Sequence, residues 1–218
     1  MLDGTMVVTN PLRGQIEDRL RSDGLTSIIG VDEVGKGCIA GPVVAAAVII
    51  DYQKLSELPA KTKELIRDSK TLSHAQRLKI KPEIFKVCKA WGIGASSPRE
   101  IEVKGISAAT FLAMKRSLRQ LPAGDITLID GNQKIPRLGS EQRAIVKGDH
   151  STFCIASASI IAKEHRDELM RSYAQRYQKW GFDTHVGYGT KHHTESIKKF
   201  GICPLHRRNF APIKELIQ

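Results

Sequence analysis

An α/β sheet flanked by helices is the fold class this sequence predicts, on three observations. Apolar, β-branched runs alternate with segments of helical spacing through the middle of the 218-residue chain. The first two such runs stand close enough to pair as an antiparallel hairpin across a Gly- and Pro-rich connection. No internal repeat or low-complexity segment is present, which excludes a solenoid.

Residues 1–25 are polar and weakly periodic and read as a leader, a short helix or loose. Ser27 to Val34, SIIGVDEV, reads as a buried strand stopping at Gly35. GKGCIAGP, Gly35 to Pro42, holds three glycines and a proline and must turn tightly. VVAAAVII follows as a second buried strand. Residues from Ala60 to about Val87 are basic and helix-leaning, with Ser73 a natural N-cap and Pro82 expected to interrupt the pattern. KAWGIGA, residues 89–95, reads as a third strand. In SAATFLAMKRSL, Phe111, Met114 and Leu118 form one stripe and Lys115, Arg116 and Arg119 lie off it, as in a helix packed on a sheet. ITLIDG from Ile126 and RAIVKGD from Arg143 read as strands that each deliver an acid beside a glycine. A long helix is expected from Ser151 or Thr152, its Ala/Ser/Ile half against the sheet and its charged half emerging into solvent. From Trp180 onward a loop, a short helix and a basic tail form an appendage. The expected division is a leader at 1–25, a sheet domain at 26–180 and a helical extension at 181–218.

Composition narrows the function. Lys and Arg number 34 against 23 Asp and Glu, a net +11, and the excess is denser after Gly131. Such a balance attracts polyanions without specifying them, and makes nucleic acid the leading partner class. No apolar run approaches the roughly 18–20 residues that span a bilayer, and the N-terminus lacks a secretory pattern, so the expected location is the cytoplasm. Cys38, Cys88, Cys154 and Cys203 never form a C-x-x-C pair and read as reduced thiols, and no H-E-x-x-H is present to suggest zinc.

The chemistry is carried by acids at strand ends: Asp32 and Glu33 before Gly35, Asp130 before Gly131, and Asp149 after Gly148. A carboxylate ending an apolar strand is costly to bury unless paired or metal-bound, and strand ends open the crevice in which α/β sheets bind ligands. Four acids without a histidine or cysteine pattern favour a hard cation, Mg²⁺ or Mn²⁺. Two such ions about 3.5–4 Å apart can clamp both oxygens of an in-line displacement at phosphorus. A basic surface with an acidic metal cage is the chemistry of a nuclease. Asp32 and Glu33 are strand neighbours and face opposite sides, so both serve one site only if the strand ends or bulges there. Taken singly, Asp130 or Asp149 could be a turn residue, and Asp149 a charge answering a helix dipole.

At GVDEVGKGCIAGPVVAAAV, residues 30–48, the sequence resembles ribonuclease HII, the prokaryotic enzyme that cuts RNA in RNA–DNA hybrids and at ribonucleotides embedded in DNA. DSKTLS from Asp68, LIDGN from Leu128, KGD from Lys147, ASASIIAKEHRD from Ala156, GYGTKHH from Gly187 and PLHRRNF from Pro204 continue the resemblance in order, over residues 26–212. It implies a ribonuclease H-like mixed sheet flanked by helices with a C-terminal helical extension. It also implies two-metal hydrolysis on the 5′ side of the ribonucleotide, leaving 3′-hydroxyl and 5′-phosphate ends, by a monomer that removes misincorporated ribonucleotides and RNA primers. Its metal-binding catalytic acids fall on Asp32, Glu33, Asp130 and Asp149. Its contacts to the 2′-hydroxyl fall on the backbone of Gly35, Lys36 and Gly37, and the support of the adjoining deoxyribose on Tyr188. Lys70 and Arg166 are expected to be phosphate-binding or support residues, with Asp167 a structural partner of Arg166. Two positions depart from the family: Lys36 stands where Arg is usual, and Gly105 where Asn is common.

Other readings fit less of the sequence. GVDEVGKG lacks the Ser or Thr of a phosphate loop and points Asp32 and Glu33 at the phosphates. A non-catalytic binder stacking bases on Tyr173, Tyr188 or Phe210 gains nothing from clustered acids. Another nuclease of related fold would share the cage but lack the Gly-Lys-Gly turn and Tyr188.

Overall fold

A computed structural model describes residues 13–216 of the chain. The expected leader is thus described only from residue 13, residues 1–12 lying outside the described residues. What is described of it is a helix, α1 (Gln15–Ser22), whose Glu17 and Leu20 are buried. β1 (Ile28–Val34) and β2 (Val43–Ile50) follow. Short helices α2 (Tyr52–Glu57) and α3 (Ala60–Glu64) lead through a 3-10 turn at Ser69–Thr71 to α4 (His74–Val87). Next come β3 (Cys88–Ser96), α5 (Pro98–Lys104), α6 (Ile106–Leu118), β4 (Ile126–Asp130) and β5 (Gln142–Ile145). A single turn, α7 (Gly148–Ser151), precedes the long α8 (Phe153–Arg176). α9 (Phe182–His185), α10 (Lys191–Phe200) and α11 (Ile213–Leu216) complete the described chain.

The sheet is mixed, in the order β3-β2-β1-β4-β5. β1 pairs antiparallel with β2, as the hairpin reading expects, and parallel with β4; β2–β3 is antiparallel and β4–β5 parallel. α8 packs along β1 and β2 on one face, and α6 along β3 and β2 on the other. Side chains of β1 alternate between the two. Ile28 and Val34 join the α8-side core with Ile155 and Ala158, while Ile29 and Val31 join the α6-side core with Ala109 and Met114. Gly30 lies where α8 comes closest: a Cβ there would overlap the backbone of Cys154 and Ile155. Glu17 of α1 accepts the N–H groups of Phe153 (2.7 Å) and Cys154 (3.1 Å), holding the first turn of α8.

The helix-leaning stretch from residue 60 is two helices with a turn between, and Ser73 caps the second as expected. Three local expectations differ from the structure. Pro82 does not interrupt α4: it lies on the exposed face of the helix. RAIVKGD is strand only as far as Ile145, and Asp149 lies in α7. The charged half of α8 does not emerge directly into solvent. Lys163, Glu164, Arg166 and Asp167 are buried; three of the charges meet opposite ones, Arg77 Nε donating to Glu164 at 2.5 Å and Lys163 Nζ standing 2.9 Å from Asp167, while Arg166 meets backbone carbonyls. All four cysteines are free.

Candidate active site

Alternation along β1 decides where its two acids go. Asp32 shares the α8 face with Ile28 and Val34 and is 5% exposed. Glu33 takes the opposite, α6, face. β4 carries Ile126 and Leu128 on the α8 side, so its terminal Asp130 arrives beside Asp32. Asp130 Oδ1 then accepts the Gly148 N–H at 2.8 Å, tying α7 to the end of β4 and bringing Asp149 alongside. Carboxylate oxygens of Asp32, Asp130 and Asp149 all lie within 4.8 Å of one another.

Glu33 stands outside this trio, for the reason of strand parity that the sequence already raised. It lines a 70 Å³ cavity on the α6 side with Lys36, Phe111, Asp130 and Asn132, and its carboxylate is 3.6 Å from Lys36 Nζ. Asp130, at the strand end, borders both the trio and this cavity. Asp149 also belongs to a second grouping with Asp68 and His150, again within 4.8 Å. Sequence reasoning placed Asp68 and His150 in no role, although DSKTLS and the residue following KGD mark them.

Like charges drawn together out of water hold one another's protons. Burial raises the Asp32 carboxyl well above its usual range, and Asp130 and Glu33 add to the effect. Burial also raises Asp130, against the N–H donors of Gly148 and Asp149. Asp149 is pushed up to about 6 by burial, then by Asp130 and Asp68. For Lys70, burial works downward, but Asp32, Asp68, Asp149 and Asp130 together raise it, placing its ammonium in the field of the cluster. Three oxygen-donor acids, strained in their ionised state and without histidine or cysteine among them, fit a hard divalent cation.

Beside the acids, Gly35 turns the chain at φ 87°, and the Cys38 N–H closes the turn on the Gly35 carbonyl at 3.2 Å. Tyr188, 37% exposed, has the Lys163 ammonium 5.3 Å from its ring centre. Two fully buried arginines hold this corner. Arg166 donates to the carbonyls of Pro42 (3.0 Å), Val186 (2.8 Å) and Ala40 (3.0 Å). Arg207 donates to those of Gly41 (3.0 Å) and Lys36 (3.1 Å). Arg166 thus has no face left for phosphate and acts as support alone. Asp167 is not its partner: it pairs with Lys163 and, at 3.5 Å, with Arg77. Phe210 has the Arg207 guanidinium 5.1 Å from its ring centre, and Tyr173 is partly buried against the cluster of Met170 and Phe182, so both rings are engaged within the fold.

A five-stranded mixed sheet of this order, helix-covered on both faces and ending in convergent carboxylates, is the ribonuclease H fold. Over 87% of the chain and 96% of the other, it superposes with a TM-score of 0.68 and 22% identity on ribonuclease H2 from Pyrococcus horikoshii. With Bst-RNase HIII in complex with Mn²⁺ the TM-score is 0.66 at 21% identity, covering 88% of this chain and 69% of that one. Residues 29–213 match the family model for ribonuclease HII. A ribonuclease HII of Caldicellulosiruptor bescii is 43% identical over 197 residues, 90% of this chain and 92% of that protein. The chain belongs to the ribonuclease HII family and is a ribonuclease H enzyme.

Proposed function

We propose that the protein is an endonuclease of RNA–DNA hybrids that also cuts on the 5′ side of ribonucleotides embedded in duplex DNA, using Mg²⁺ or Mn²⁺ and leaving 3′-hydroxyl and 5′-phosphate ends. The observation that carries the reading is the convergence of Asp32, Asp130 and Asp149 from separate parts of the chain, beside a glycine turn fit to approach a sugar. Asp32, Asp130 and Asp149 would hold the divalent cations, with Glu33 contributing from the end of β1. The chemistry that a pair of such ions supplies when bound is Lewis acidity, toward water and toward the scissile phosphate.

The chain's own groups do the rest. Lys70 offers an ammonium to the phosphate approaching the acids. Backbone groups of Gly35, Lys36 and Gly37 meet the 2′-hydroxyl, the one sugar group that separates RNA from DNA. Tyr188 supports the neighbouring deoxyribose. The net charge of +11 draws in the duplex. With the family's Asn replaced by Gly105, which has no side chain, any contact to the DNA strand there is left to the backbone. The test is a DNA duplex bearing one ribonucleotide, incubated with Mg²⁺, Mn²⁺ or chelator and resolved on a denaturing gel. One cut 5′ to the ribonucleotide with metal and none with chelator is expected; cleavage in chelator would overturn the reading.

A further inference from the structure

The histidines of GYGTKHH and PLHRRNF have no part in the chemistry above, yet His193 and His206 are among the most buried polar groups, 0% and 2% exposed. Their Nε2 atoms face each other at 3.1 Å. At one end of the pair, the Cys203 N–H lies 2.8 Å from His206 Nδ1; at the other, His193 Nδ1 lies 2.8 Å from the Tyr188 carbonyl. An amide N–H can only donate and a carbonyl only accept. His206 Nδ1 is therefore bare, and its Nε2 carries the hydrogen and donates to His193 Nε2. His193 in turn carries its hydrogen on Nδ1 and donates it to Tyr188. The Cys203 carbonyl, 3.2 Å from His206 Nδ1, receives nothing from that ring.

Each ring holds one hydrogen, and the chain of bonds runs one way. Burial keeps both rings neutral, lowering His193 to about 3 and His206 to about 4. His185 closes the arrangement from the side. It stacks on His193 at 4.1 Å, donates from Nε2 to the Trp180 carbonyl at 2.6 Å, and accepts the Gly187 N–H on Nδ1 at 3.2 Å.

The residue after His206 reaches the other way. Arg207 gives its backbone N–H to Ile39 and its guanidinium to the carbonyls of Gly41 and Lys36. Two adjacent residues of one loop thus fasten Tyr188 on one side and the glycine turn on the other.

We propose that His193 and His206 are positioning residues of the ribonucleotide-reading site, a one-way relay that with Arg207 sets the gap between Tyr188 and the Gly35–Lys36–Gly37 turn. The inference rests on Tyr188 and the turn being the ribonucleotide contacts. In His193→Phe a somewhat larger ring takes the place of the imidazole and both side-chain hydrogen bonds go; the Tyr188 carbonyl keeps the Thr190 N–H at 2.8 Å, so that loop bond remains without the anchor.

The experiment compares kcat/KM at a single embedded ribonucleotide with kcat/KM on a long hybrid. His193→Phe should lower the ratio about tenfold, since small displacements of a positioning group are costly. Tyr188→Ala should lower it as well, and the double variant should fall no further than Tyr188→Ala. Additive losses, or equal loss on both substrates in His193→Phe, overturn the relay alone; an unchanged ratio in Tyr188→Ala overturns the Tyr188 reading and the relay with it. Nitrogen-15 NMR of the unaltered protein needs no variant to fold. It should find His193 as the Nδ1–H tautomer and His206 as the Nε2–H tautomer, and His193 protonated on Nε2 would end the proposal.

Discussion

Asp32 and Asp149, buried, and Asp130, half-buried, carry charges of one sign, and so, in the adjoining corner, do the buried Arg166 and Arg207. The arginines are largely saturated from within: five backbone carbonyls take their N–H groups, and only Nη2 of Arg207 lacks a partner among the described residues. Even so, burial lowers Arg207 to about 10. The acids have Lys70 nearby and few donors, and all three are raised. A buried charge satisfied by the fold supports the fold, whereas one left wanting is available to a ligand.

Changing one member of each cluster should separate the two kinds of charge. Asp32→Asn should lower cleavage about a thousandfold or more, the loss of metal-held transition-state charge being several kcal/mol. The same variant in chelator should gain about 1 kcal/mol of stability in urea titration, because a site tuned for function is strained for folding. Arg166→Met should do the reverse of that gain. It leaves three buried carbonyls unpaired, costing about 3 kcal/mol or more by the same titration; a neutral result would show the carbonyls finding other donors.

Proton linkage sharpens the contrast further. His193 and His206, at about 3 and about 4 in the fold against an ordinary 6.5, contribute stability that is whole above pH 6.5 and is lost as pH falls toward their folded values. Asp149, raised to about 6 from 3.8, runs oppositely: its contribution is present at low pH and is lost as pH rises through about 6. In chelator, the urea midpoint of Asp149→Asn should therefore drop more steeply between pH 6.5 and about 4 than that of the unaltered protein. The smallest effect belongs to Lys36→Arg. That side chain is half exposed and its carbonyl is held by Arg207, so kcat/KM should change less than about twofold; a larger change would give the side chain a role in phosphate recognition.

The central strands were legible because a doubly buried strand has to be written in apolar letters, and VVAAAVII allows little else. Asp32, Asp130 and Asp149 were legible as acids where such runs stop. The exit from β5 was not: Ala144 and Ile145 look alike in strand or turn, and the Lys147 backbone enters the left-handed region at φ 54° without a glycine to mark it. Burial of the charged half of α8 was hidden too, since Glu164 meets Arg77 from 87 residues away. Of the two roles open to Arg166, support is the one its three carbonyl contacts show. A guanidinium in a nucleic-acid enzyme suggests phosphate, and nothing local says that Ala40, Pro42 and Val186 will turn their carbonyls toward it.

Replacing glycine with alanine in a regular element is a standard way to reduce the conformational freedom of the unfolded chain and raise a melting temperature. At Gly30 the recipe would work against the enzyme. One added methyl would wedge the long helix off the sheet two residues before Asp32, so the position that looks most improvable by composition is the one where the catalytic face has no slack.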